Sequence, residues 1–372
     1  MKTILASILM LSAFSDTMMS AYEYIEESPL FFGVHDDNFL HRWGIQALAQ
    51  HVFDPRLEAF PTNPNQVAEV DTTKVCKGDI VFARDMPRFM KEYHPHIKEP
   101  YVLLTAGDYK DKVECDYLDF LDDPKLIAWF CVHPCPRNHP KYYWLPLGIF
   151  QTKEFYEKKN DLSLIFKRMR QRPKTKLLCS NFNIRPGLKP ERNPVVEVFK
   201  SAEFCYKTEN KPFLEYMNEM ADYKFTLSPR GLGPDCYRNW EALLVGTVPV
   251  LHSCYMDELY SDLPVLFVEK WEDITPEFLA KKYKEISSKK YNIERLFMGY
   301  WRKKIERVRD EFLLNESAPK AEQEVAVSHL RSRLLMDETI SSKENNSSSQ
   351  KETPVQKGIL ELIESWLTRS GK

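Results

Sequence analysis

Phe225-Thr-Leu-Ser-Pro-Arg-Gly-Leu-Gly-Pro-Asp-Cys-Tyr-Arg-Asn-Trp-Glu-Ala-Leu-Leu-Val-Gly-Thr-Val-Pro-Val-Leu251 decides how the rest of the chain is read. A short apolar strand leads into a glycine-containing turn, a helix begins near Asp235, and a second strand follows Gly246. Such a unit presents backbone N–H groups at the helix start, where the helix dipole also favours an anion. Arg230 and Arg238 bring two guanidinium groups to the turn, and Glu241 adds a carboxylate. Arg238 and Glu241 are three apart, so on a helix they share a face. Cations hold a diphosphate and a carboxylate accepts hydrogen bonds from a ribose diol. The set suits a nucleotide-sugar donor.

The plainer reading of the same residues is packing. Trp240, Leu243 and Leu244 at helical spacing read as core, and Gly231 and Gly233 as turn residues. Arg238 and Glu241 alone read as a surface ion pair worth under about 1 kcal/mol. The gathering of Gly, Asp, Arg and Glu in one strand-to-helix turn is what favours a ligand site.

Working outward, 372 residues suffice for two domains with their own cores. The formal net charge of −2, with both signs mixed along the chain, offers no basic field for nucleic acid and no polybasic cluster for an anionic membrane. No apolar run reaches the length of about 18 residues that a spanning helix needs.

At the N-terminus, Lys2 precedes an apolar run from Ile4 to Phe14, with Ala13-Phe-Ser15 as a small-x-small pattern before Asp16. Residues 1–21 therefore read as a secretory signal peptide, which places the protein in the secretory lumen or outside the cell. A buried first helix is the other reading, and it implies the cytoplasm. Eight cysteines permit disulfides in an oxidising compartment. Asn315-Glu-Ser317 and Asn346-Ser-Ser348 are glycosylation acceptors in a secreted chain.

Ile80–Ala83 and Tyr101–Thr105 predict two strands around a helix with Met90, Tyr93 and Ile97 on one face. Leu126–Phe130 and the Tyr142–Gly148 segment repeat the unit. The charged stretch from Lys153 to Lys176 reads as helix plus connector, so the division falls there: 22–165 as a first domain, 170–315 as a second, and 316–372 as a tail. In the second, Leu177–Ser180, Phe225–Leu227, Gly246–Leu251 and Val265–Val268 predict strands, with helices over Pro194–Ala202 and Phe213–Met220 and a start at Pro276. Beyond Asn292 a helix runs to about Leu314, with Leu296, Tyr300, Ile305 and Val308 as its apolar stripe. Residues 341–356 form a solvated linker, and Gly358–Ser370 an amphipathic segment. Alternating strands and helices predict an α/β chain with a doubly wound parallel sheet in each half.

Cys131-Val-His-Pro-Cys135 with His139 does not have paired-cysteine zinc spacing, so strand-end packing or a disulfide is the preferred reading and no metal site is expected. Asp108 follows the strand Tyr101–Thr105, at the end where open α/β sheets place ligands, and is the first candidate for a general base. A solvated turn aspartate is its plain alternative. His35 and Asp36 are the second candidates, and Asp122-Asp-Pro reads as a cap or turn. G-x-S-x-G, P-loop and Asp-x-Asp signatures are all missing, which argues against hydrolase, kinase and metal-held donor chemistry.

The central stretch resembles the C-terminal half of the exostosin family of glycosyltransferases. Leu227-Ser-Pro-Arg-Gly, Asp235, Arg238-Asn-Trp-Glu-Ala-Leu, Gly246-Thr-Val-Pro-Val and Leu259-Tyr-Ser-Asp-Leu-Pro-Val carry the resemblance, in order. Tyr237 departs from it, since relatives often have a small or imidazole side chain there. Asn181-Phe-Asn183 followed by Arg192 resembles the first turn of the family's donor-binding domain. The resemblance implies two Rossmann-like domains facing a cleft, the B-type glycosyltransferase architecture. It implies a donor held by Asn181, Arg192, Arg230, Gly231, Gly233, Asp235, Arg238 and Glu241, and an inverting, metal-independent transfer from a nucleotide diphosphate sugar, UDP-linked in the first instance, to a hydroxyl of a glycan or glycoconjugate. It also implies terminal helices that cross back to the first domain. The alternative is a non-catalytic carbohydrate- or nucleotide-binding relative that keeps the motif for stability.

Overall fold

A computed structural model describes residues 23–24, 31–32, 34–35, 38–55, 66–106 and 113–317. The chain falls into two compact units, Met1–Leu313 and Leu314–Lys372, and both main sheets belong to the first. The expected leader (1–21), the linker 341–356, the segment Gly358–Ser370 and Asn346 lie outside the described residues.

The main strands are β1 (His51–Phe53), β2 (Gln66–Val67), β3 (Ile80–Ala83), β4 (Tyr101–Thr105), β5 (Leu126–Val132) and β6 (Tyr142–Leu145) in the first half. They form one sheet in the order β2-β1-β3-β4-β5-β6, with every pairing parallel. The second half supplies β7 (Lys176–Ser180), β8 (Cys205–Lys207), β9 (Tyr223–Leu227), β10 (Val248–His252) and β11 (Leu266–Val268). Their order is β8-β7-β9-β10-β11, again all parallel. Both sheets step back one strand and then run forward, the winding of Rossmann-like open sheets. The fold is α/β with two such parallel sheets, as the alternation of elements predicts.

Every residue of β3, β4 and β5 is buried. Parallel strands covered on both faces read as unbroken apolar runs, which is why these three are legible in the sequence. The predicted helix between β3 and β4 is instead three short pieces, Met86–Arg88, Phe89–Tyr93 and His94–His96. Pro87 sits harmlessly in the first turn, Pro95 removes a helical donor further along, and Met90, Tyr93 and Ile97 still turn into the core. The helix predicted over Pro194–Ala202 spans Lys189–Phe199 and carries Pro194 inside. The edge strand β8 was not legible, because three residues with Tyr206 and Lys207 exposed have no apolar pattern. Cys135 is joined to Cys115 by a disulfide, and Asp123 caps a turn by accepting from Lys125 N–H at 2.7 Å.

A strap of residues 38–41 ties the two halves. Ile149 N–H donates to the Leu40 carbonyl, Leu40 N–H to the Leu296 carbonyl, and Met298 N–H to the Asn38 carbonyl, each at 2.9 Å. Gly148 sits at φ +72°, and a Cβ there would stand 2.2 Å from the Leu40 carbonyl oxygen, so only glycine fits under the strap. The predicted terminal helix runs Met298–Ser317, with Ile305 fully buried, and Asn315 lies near its end. Among the described residues no helix is long and apolar enough to cross a membrane.

Candidate functional site

The strand-to-helix turn takes its shape from both ends of its helix, Tyr237–Leu244. At the C-terminus Gly246 adopts φ +77°, Gly246 N–H bonds the Leu243 carbonyl, and Thr247 N–H bonds the Ala242 carbonyl at 2.9 Å. That is a Schellman motif, and it sends the chain straight into β10. At the N-terminus stands Asp235, 2 % exposed. Its carboxylate accepts from Cys236 N–H at 2.8 Å, Trp240 Nε1 at 2.9 Å, Asn239 Nδ2 at 3.2 Å, the Tyr260 hydroxyl, and Leu147 N–H of the first half at 2.7 Å. The helix dipole is therefore already met by a resident carboxylate.

A cavity of about 450 Å³ opens between the C-terminal ends of the two sheets. The first half contributes Arg42, Ala106 after β4, Val132 and His133 at the end of β5, and Leu147 and Phe150 after β6. The second half contributes Asn181 after β7, Gly231, Gly233 and Asp235 after β9, and Arg238 and Glu241 on the helix. Open α/β sheets place ligands at this end, and the volume falls in the usual range for small-molecule sites of roughly 300–1,000 Å³.

Two arginines dominate the donor-side wall. Arg192 donates from Nε to the Arg230 carbonyl at 3.1 Å and from Nη1 to the Asn183 carbonyl at 2.6 Å, so it laces the loop after β7 to the loop after β9. Burial, and then Arg238, hold its pKa below the ordinary range. Both guanidinium groups lie over Phe182, at 5.6 Å for Arg192 and 5.9 Å for Arg238. The electron-rich ring face attracts both cations. Glu241 accepts from Phe150 N–H at 3.2 Å and from the Tyr216 hydroxyl at 3.1 Å, and burial pushes its pKa up.

Of the donor-site residues expected from the sequence, Asn181, Arg192, Gly231, Gly233, Asp235, Arg238 and Glu241 all line this cavity. Arg230 does not line it: its Nε lies 3.8 Å from Glu191 on the helix Lys189–Phe199. Asn181 turns its amide to the Thr208 hydroxyl and the Glu209 carbonyl. Asp108 and Asp36 lie outside the described residues, and of His35 only the backbone is described, in the two-residue strand Val34–His35. Among the described residues no three His, Cys, Asp or Glu side chains gather as a metal site, and His139 lies 3.4 Å from Asp122.

Sequence reasoning missed Arg42, His133, Phe150, Phe182 and Tyr216. His133 and Phe150 follow strands of the first sheet, so the strand-end rule already applied to Asp108 points to them too. Arg42 comes from the strap region and carries no local signal. His133 adopts φ +62° without being glycine, a strain of roughly 1–3 kcal/mol of the kind that clusters at functional sites. A Cβ on Gly233 would sit 2.5 Å from His133 Nδ1, so any side chain at 233 would have to displace this ring.

Residues 191–315 match a family described as the RXYLT1 C-terminal domain, a glycosyltransferase-type family related to the exostosins. The matched segment spans the turn and most of the second sheet, and it is consistent with an exostosin-like glycosyltransferase. No curated protein matches the chain.

Proposed function

We propose that the protein is an exostosin-like glycosyltransferase that moves a sugar from a UDP-sugar to a hydroxyl of a glycan or glycoconjugate, with inversion. One observation carries this reading: Arg192 and Arg238 face one cavity at the C-terminal ends of two parallel sheets. Residues 170–315 would take the donor and 22–165 the acceptor, with 316–372 as a tail. The guanidinium groups neutralise the leaving diphosphate, the work a divalent cation does elsewhere. Glu241 faces the ribose with the lone pairs that Phe150 and Tyr216 leave over. Asp235 holds the turn in place rather than the ligand.

The N-terminal layout of residues 1–21 and the Cys115–Cys135 disulfide support a place in the secretory lumen. The test is nucleoside diphosphate release from a panel of UDP- and GDP-sugars with mixed hydroxyl acceptors, with UDP-xylose first because the matching family is xylosyltransferase-related. Release from one UDP-sugar is expected, and it should persist in EDTA. Turnover that stops with EDTA and returns with manganese would remove the metal-independent part of the proposal.

A second reading has its own observation. Asp235 and Glu241 bond the first half directly, so the motif also serves stability. A non-catalytic relative would bind UDP in calorimetry and turn over no donor.

A further inference from the structure

On the acceptor side of the cavity, the first half presents Arg42, Ala106, Val132, His133, Leu147 and Phe150. A guanidinium does not accept a proton and the apolar side chains cannot, so among the described residues His133 is the proton acceptor on this wall. On the opposite wall, the oxygens of Asp235 and Glu241 hold Leu147, Trp240, Phe150 and Tyr216. His133 is half-buried, at the C-terminal end of a parallel strand, where an open sheet meets its ligand. Its backbone is left-handed at φ +62°, a conformation that persists only when the surroundings enforce it. They do so here from both sides. Tyr255 of the second half donates from its hydroxyl to the Pro134 carbonyl at 2.9 Å. Gly233 leaves just the space that the ring needs, since a Cβ there would come within 2.5 Å of Nδ1. The ring is thus brought against the donor turn itself.

We propose that His133 is the catalytic base that takes the acceptor's hydroxyl proton, an inference that rests on the glycosyltransferase reading. In the step, the acceptor oxygen forms a bond to the donor's anomeric carbon. The bond from that carbon to the diphosphate oxygen breaks, and the nucleoside diphosphate leaves with the electron pair. The acceptor proton passes to the imidazole and from there to solvent. Arg192 and Arg238, across the cavity, receive the charge that develops on the leaving group.

His133→Asn tests the assignment, because asparagine tolerates the left-handed conformation and hydrogen-bonds but has no basic nitrogen. Turnover of the full chain on its UDP-sugar should fall by roughly 10²–10⁴-fold, while UDP affinity in calorimetry stays within about twofold of the unmodified protein's, the base making no contact with the nucleotide. A variant with unreduced turnover would overturn the base assignment alone and return the role to Asp108, His35 or Asp36. Loss of UDP affinity together with turnover would make His133 a prop for Gly233, and would overturn it too. If the unmodified protein neither binds UDP nor releases it, the glycosyltransferase reading fails and this inference with it.

Discussion

Arg238 and Asp235 lie three residues apart and do different work. Arg238 faces the cavity over Phe182, with no ion-pair partner within 4 Å among the described residues. Arg238→Ala should weaken UDP binding by roughly tenfold to a hundredfold, the worth of one charge-assisted hydrogen bond of about 1.5–3 kcal/mol, and leave the melting temperature nearly unchanged. Unchanged affinity in calorimetry would remove Arg238 from the site. Asp235→Ala should do the reverse. It leaves Leu147 N–H, Cys236 N–H and Trp240 Nε1 without their acceptor, at a cost of about 3–5 kcal/mol. A lowered denaturant midpoint is the expected result, and a midpoint within error of the unmodified protein's would refute it. The sequence shows both residues equally well at the turn. It cannot separate them, because the Leu147 partner that occupies Asp235 arrives from 88 residues away.

Among the elements, the helix termini carry the connector between halves. Lys174, just before β7, donates to the carbonyls of Ala221 and Val245 at 2.6 Å and of Met169 at 3.2 Å, all at helix C-termini. Arg170 donates to the Leu244 carbonyl at 2.6 Å. Both side chains satisfy carbonyls that the helices leave over, and burial pushes the pKa of the Lys174 ammonium down to about 7. Lys174→Met keeps the aliphatic stem and loses the donors, so it should cost about 1–3 kcal/mol. An unmoved urea midpoint would show that the clamp contributes nothing. This charged stretch reads in the sequence as a helix plus connector, and the helix itself is observed at Lys159–Gln171. That two of its cations turn inward was not legible, since buried and solvated lysines look alike in one sequence. Elements whose signal is local, such as β3, β4 and the Pro276 helix start capped by Thr275, were legible to the residue or nearly so.

At the scale of the whole molecule, one link between pH and stability lies at the far end of the first sheet. His94 accepts from or donates to the Tyr101 hydroxyl at 2.7 Å and pairs with Asp123 at 3.1 Å. Burial, then Lys125, hold its imidazole below the ordinary pKa, against the pull of Asp123. The folded protein then binds fewer protons than the unfolded chain. His94 therefore contributes stability that is present above about pH 6.5 and drains away as pH falls toward the folded pKa, by at most about 1.4 kcal/mol per pH unit. Urea midpoints at pH 7.5 and 5.0 should differ less in His94→Gln than in the unmodified protein. Equal differences would show that His94 does not titrate with folding.

The strap at residues 38–41 also sets an order of events during synthesis. Each sheet is built from consecutive chain, so its strands can pair as they emerge. Asn38 and Leu40 must wait for Leu296 and Met298, about 250 residues later, which is roughly 10–50 s at ordinary elongation rates. The entropy of closing so long a loop grows only with the logarithm of its length, so the delay is one of time and not of driving force. A nascent chain stalled short of residue 298 should carry both sheets and lack the lock. Protease added to stalled ribosomes should cut it near residues 38–41 until the last strap partner has cleared the exit tunnel.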